Sequence, residues 1–209
     1  MAGKGQPGYC YLCGAELSRV GMRMHLLKMH AEGEQACRLI KVEGKYNKDY
    51  WLYLDIPLTA SLIDLDDFLR KIWLECCDHL SAFIEAGREE LPMTRKIRGF
   101  SEGHKLRYMY DFGDTTDLVV TFMAKTKRPT QSEAVRLLAR NKPFEYKCRV
   151  CGKPAAYIAP ELIYRVDDPY YCEDCYEEHS EFPLPITNSP RMGVCGYEGE
   201  LDVYAFEPK

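Results

Sequence analysis

The period of apolar positions changes several times along the chain, and each change marks a candidate element. Cys37-Arg-Leu-Ile-Lys-Val-Glu43 alternates like a strand. Tyr50-Trp-Leu-Tyr-Leu-Asp-Ile56 is a second strand candidate, rich in aromatic and branched residues, and the turn-rich residues 44–49 connect the two. Over residues 64–77 the period lengthens. Leu65, Phe68, Leu69, Ile72, Trp73 and Cys76 recur at three- and four-residue spacing and so share one helix face, with Ser61 or Asp64 placed to cap its start. Residues 79–84 read as a strand entering a sheet. Residues 105–112 and 117–123 flank the turn Gly113-Asp-Thr-Thr116 and read as a hairpin. Residues 132–140 read as a short helix with Ala134, Leu137 and Leu138 on one side, and residues 201–206 as a terminal strand. No repeat or low-complexity tract interrupts this order.

Two segments depart from these periods and carry cysteine and histidine instead. The first is Cys10-x2-Cys13-x11-His25-x4-His30. A Cys-x-x-Cys turn supplies two thiolates, and histidines about one helical turn apart project from one face of a helix over residues 18–30. The central spacer is one residue shorter than the usual ~12 of such fingers. Tyr9, Leu17, Met22 and Leu26 are available for a small core. The second segment is Cys148-x2-Cys151-x20-Cys172-x2-Cys175, a spacing that reads as a structural four-cysteine site. Gly152 suits the tight turn after its first pair, and His179 is a competing ligand if residues 173–180 are helical.

The chain has 209 residues, ten of them cysteine. The first eight residues have no apolar core, so a secretory leader is not expected, and no apolar run approaches the ~20 residues of a membrane span. A reducing cytoplasm is the expected location, where cysteines more often bind metal than form disulfides. Two structural zinc ions are expected, with no organic cofactor and no membrane partner. The remaining cysteines, Cys37, Cys76, Cys77 and Cys195, read as ordinary thiols.

The formal net charge of −4 is unevenly spread: residues 1–36 carry +1, residues 37–126 −2, residues 127–142 +4 and residues 143–209 −7. This is not the balance of a dedicated nucleic-acid surface. If nucleic acid is bound, the contacts are expected from the finger helix (Arg19, Arg23, Lys28) and from the basic segment (Lys127, Arg128, Arg136, Arg140). A single finger covers only about three base pairs, so a finger that caps its neighbouring domain or binds protein is an equal alternative.

Residues 51–57, 62–73 and 79–83, together with Tyr110-Asp-Phe-Gly-Asp114, resemble the plasmid ORF-three-like family, named after a reading frame on a root-inducing plasmid. Leu137-Leu-Ala-Arg-Asn141, the Cys148/Cys151 pair with Lys153-Pro-Ala155, and Asn188-Ser-Pro-Arg-Met-Gly-Val-Cys-Gly-Tyr197 resemble its zinc-bearing subgroup. The resemblance covers residues 37–205 and implies an α+β fold, a mixed or antiparallel sheet packed on helices. It implies no reaction, and it suggests mobile-element or phage-related biology because some members are so labelled. Thr115-Thr116 replaces a tryptophan common after the motif, and residues 156–171 lack the extra cysteines of the subgroup, which favours one zinc ion there.

Three parts follow: a finger and linker (1–36), the α+β domain (37–142), and a zinc-knuckle module with a terminal strand (143–209). The expected function is non-enzymatic recognition of nucleic acid or a protein partner. The alternatives are a pure protein adaptor, or a hydrolase or metal enzyme using His79, Asp111 and Asp114. His104, Asp78 and Asp117 are further acid–base candidates. Against an active site, Asp111 and Asp114 are residue types that shape turns, with Gly113 available for positive φ.

Overall fold

The computed structural model describes residues 5–87, 89–130 and 133–199. Among them lie β1 (Gly8–Cys10), β2 (Glu16–Leu17), α1 (Arg19–Met29), β3 (Gln35–Gly44), β4 (Trp51–Pro57), α2 (Leu62–Leu69), β5 (Ser81–Ile84), β6 (Glu90–Leu91), β7 (Lys105–Tyr110), β8 (Thr116–Arg128), β9 (Arg136–Asn141), β10 (Tyr157–Ile158), β11 (Tyr170–Tyr171) and β12 (Leu184–Pro185). Nine strands form one antiparallel sheet in the order β2-β1-β9-β4-β3-β8-β7-β5-β6, and β11-β10-β12 form a second. The architecture is thus mostly antiparallel sheet with two α-helices, consistent with a mixed α+β class. No helix among the described residues is long and apolar enough to cross a membrane.

All seven residues of β4 are buried, because alternate side chains enter different clusters. Leu52, Leu54 and Ile56 join Ile40, Val42, Leu106 and Tyr108 with Leu65, Phe68, Leu69, Ile72 and Trp73. Trp51 and Tyr53 join Leu39 and Leu138 with Met22 and Leu26 of α1. Both faces of the sheet centre are therefore dry. Asp64 holds the start of α2 by accepting from the Ser61 N–H (2.7 Å) and hydroxyl (2.8 Å). A wider turn, Arg70–Leu74, continues that helix and carries Ile72 and Trp73 into the first cluster.

One element differs from its expected form. Arg136–Asn141 is strand β9, not a helix, inserted between β1 and β4. Leu137 enters the first cluster and Leu138 the second, so adjacent leucines face opposite sides of the sheet, as adjacent strand residues must. Ser132, at the start of that expected helix, and the terminal strand expected over 201–206 lie outside the described residues.

Strand β1 belongs to the main sheet through its pairing with β9. Gly8, Tyr9 and Cys10 pair with Asn141, Arg140 and Ala139. A Cβ on Gly8 would sit 2.1 Å from the Arg140 carbonyl oxygen and 2.4 Å from the Trp51 ring, so only glycine allows this approach.

Candidate metal centres

The first centre grows from β1 and α1. Gly14, at φ 73°, closes the Cys10 turn and donates its N–H to the Cys10 carbonyl (2.8 Å). Ser18 caps α1 by accepting from the Gly21 N–H (3.2 Å), and α1 then presents His25 and His30. Donor atoms of Cys10, Cys13, His25 and His30 all lie within 4.8 Å of one another. Cys13 Sγ and His30 Nε2 each stand 3.2 Å from His25 Nε2. Tetrahedral zinc with bonds of about 2.0–2.3 Å has ligand–ligand edges of roughly 3.3–3.8 Å, so the donors need only small shifts to close on an ion. Burial, then His25 and Arg136, lowers the pKa of His30 and favours the neutral imidazole that metals bind.

The second centre joins Cys148, Cys151, Cys172 and Cys175, again within 4.8 Å. Cys151 Sγ stands 3.6 Å from Cys172 Sγ and 3.9 Å from Cys175 Sγ, matching a tetrahedral edge between thiolates. The Cys148 turn is closed by Gly152, at φ 74°, through a 2.9 Å bond to the Cys148 carbonyl. Burial opposes ionisation of Cys148, yet backbone N–H groups at Cys151, Cys172 and Val150 hold its thiol down to about 6. Burial and the crowd of neighbouring thiols push Cys175 up to about 12. His179 follows a single short 3-10 turn, Tyr176–Glu178, and stacks on Tyr171 (5.4 Å between ring centres) outside the four-thiol group.

The sequence reading missed a third group. Cys76, Cys77, His79 and Cys195 also bring one donor each to within 4.8 Å of the others. Three of the four cysteines expected to be ordinary thiols therefore converge; Cys37 alone stays apart, buried, with its thiol pushed up to about 11 by that burial. Arg70 positions the 75–79 turn by donating to Glu75 (3.0 Å) and to the His79 carbonyl (2.7 Å), while Asp66 fixes the Arg70 guanidinium (2.9 Å). The loop bearing Cys195 is anchored by Ser189, whose hydroxyl donates to the Trp73 carbonyl (2.6 Å), and by the Trp73 indole donating to the Asn188 carbonyl (3.0 Å). The only local hint is Cys76-Cys77-x-His79; its fourth member lies 116 residues beyond His79.

The candidate pocket resolves into this neighbourhood only in part. His79 Nε2 lies 3.6 Å from Asp111 Oδ2. Asp114 is exposed, gives its N–H to Asp111 Oδ1 (3.3 Å) and stands outside the group. Asp111 itself, not Gly113, takes the positive φ of 64°, and its carboxylate accepts from the Gly113 N–H (2.9 Å) and from Arg191 (2.8 Å). Those bonds, with burial opposing and His79 adding, hold its carboxyl below the usual range. His104 pairs with Glu85 (3.0 Å) and Asp117 with Arg107, both away from this group.

Several of the basic residues expected to contact nucleic acid face inward. Arg128 is fully buried and donates to Asp55 (2.8 Å) and Gln35 (2.8 Å). Arg136 also bonds Asp55, and Arg140 is buried against the Asn188 carbonyl (2.9 Å). Arg19 donates to the Lys48 carbonyl, and Arg23 is half-exposed near Glu102 (3.7 Å). Lys28 and Lys127 are exposed. Within the basic segment, Arg128 and Arg136 thus share one internal carboxylate, Asp55, while Lys127 stays at the surface.

No family model and no curated protein matches the chain. The crystal structure of a protein of unknown function, MM3350 from Methanosarcina mazei Go1, resembles part of it. The identity is 17% and the TM-score 0.43, over 57% of this chain and 75% of that one. That likeness carries no assignment.

Proposed function

We infer that the protein is a zinc-held recognition module without chemistry at its first two centres. One observation carries this reading: each of those groups brings together four sulfur or nitrogen donors, enough to fill a tetrahedral shell and leave no position for a substrate. Soft thiolates with imidazole favour zinc over hard cations. The residues fit the ion, and its role there is to hold β1 against α1 and to hold the β10–β12 sheet together.

The recognised partner in this reading is protein. Arg128, Arg136 and Arg140 are committed inside the fold, whereas α1 exposes Val20 (73%), Met24 (63%) and Met29 (59%) to solvent. Exposed apolar side chains on one helix, with adaptable methionines among them, suit a protein contact better than a phosphate backbone. The test expresses the tagged chain at native level in its own host and recovers it with nuclease present. A partner that survives nuclease and is lost with Met24→Glu supports the reading. Direct binding to random duplex DNA that falls steeply between about 50 and 200 mM salt would favour the nucleic-acid reading instead.

A further inference from the structure

The geometry points to a third metal site, with Cys76, Cys77, His79 and Cys195 as a Cys3His shell for a zinc-class divalent ion that fastens the C-terminal loop to the end of the α2 segment. The donor set is the first reason. Three thiols and one imidazole within 4.8 Å match the ligand type and number of structural zinc. The contact between His79 Nε2 and Cys195 Sγ is 3.2 Å, the same as between Cys13 Sγ and His25 Nε2 in the first centre.

Charge is the second reason. A divalent ion with three thiolates and a neutral imidazole leaves the shell at −1. Arg191 is fully buried beside it, with Nη2 3.4 Å from Cys76 Sγ and 2.8 Å from Asp111 Oδ2. A buried guanidinium facing a thiol stabilises the thiolate that a metal requires, and Asp111 shares that cation while holding a place 3.6 Å from the His79 ring. Arg191 and Asp111 thus face the donors from the C-terminal loop and the β7–β8 turn, while Arg70, Glu75 and Asp78 pair with one another at the 75–79 turn.

Backbone strain gathers at the same place. Among the described residues the non-glycine positions with positive φ are Asp78 (54°), Asp111 (64°) and Cys195 (51°). The first lies between two of the donors, the second touches His79, and the third is a donor. Ordinary packing does not require three such residues in one spot, whereas a set of donors aimed at a common point does. Binding would release the thiol protons to solvent and join residues 116 positions apart.

The test measures zinc per chain on reduced full-length protein, wild type and Cys195→Ser, after removal of loosely held metal. Cys195 is exposed, so the serine is tolerated by packing. Three ions in the wild type and two in the variant are expected. Hydrogen exchange should rise in residues 188–197 of the variant only. Equal ion counts in the two proteins, or two ions in a wild type whose Cys195→Ser variant also holds two, would overturn the site. A wild type of two with a variant of one would keep this site and instead remove one of the other two. Cobalt in place of zinc gives a second readout: the thiolate charge-transfer band should lose one site's intensity in Cys77→Ser.

Discussion

The finger and the knuckle module use metal-ligand sets of equal size in very different settings. The finger is welded to a nine-stranded sheet: β1 pairs with β9, and Met22 and Leu26 of α1 share a buried cluster with Trp51 and Tyr53. The knuckle has a sheet of its own, three strands of two residues each, and its buried apolar side chains are few, among them Ile158, Ala159 and Tyr171. Such a module cannot offset the entropy of ordering its loops by burial alone. In the proposed zinc-held reading, the same ligand chemistry reinforces one region and creates the other.

The largest effect should come from setting these two regions against each other. Cys172→Ser forfeits a binding free energy of about 10–16 kcal/mol that the module converts into folding, so amide protection in β10–β12 should vanish while the nine-stranded sheet stays protected. His25→Ala should lose one metal ion yet keep β1 protected through its ladder to β9. Protection persisting in β10–β12 of Cys172→Ser would sink the contrast.

Next comes the charge buried on the finger side of the sheet. Asp55 is 2% exposed and pairs with both Arg128 and Arg136. Asp55→Asn takes the carboxylate from the fully buried Arg128 and the part-buried Arg136 and should cost about 3–5 kcal/mol in denaturant unfolding, with the metal content of the knuckle unchanged. A loss under about 1 kcal/mol would mean that water reaches those guanidiniums.

Leu26→Ala should cost about 2–5 kcal/mol and fall on α1 and β1 alone, because Leu26 is 3% exposed in the finger-side cluster. Equal loosening of the knuckle in hydrogen exchange would show that the two regions are coupled.

The smallest effect touches neither region and serves as a control. Burial raises the pKa of Asp117, but Arg107 and Lys45 outweigh it, so its carboxyl is held below the ordinary value. A depressed folded pKa contributes stability above the unfolded value that disappears as pH falls through the folded one. Asp117→Asn should therefore flatten the acid side of the stability curve by about 1 kcal/mol, read by thermal melts from neutral pH downward.

Much of this was legible from local pattern. Strands β3, β4, β7 and β8 follow runs of alternating or branched residues, and the two expected centres follow ligand pairs separated by a turn. What failed were features created by distant pairing. Residues 136–141 hold apolar side chains at a spacing that also fits a helix, and only β1 and β4 on either side decide for a strand. The arginines of that segment look solvated until Asp55, 81 positions from Arg136, is placed beside them. Likewise Cys195 meets His79 only because Asn188 and Ser189 tie its loop to Trp73. Each miss is a contact whose partner lies far along the chain, where periodicity carries no information.

The pairing of β1 with β9 has a consequence for self-association. The outer strands of the large sheet, β2 and β6, are only two residues long, which leaves little exposed ladder for another chain to join. Were β1 to detach, β9 would become the edge, and Leu137, Leu138 and Ala139 would present an apolar, unpaired strand to the next molecule. Deleting residues 5–10 should therefore make light scattering rise with protein concentration, whereas His25→Ala, which keeps the β1–β9 ladder, should not. On this account β1 is a lid on a polymerisation site, and its ladder to β9 protects solubility as well as the fold.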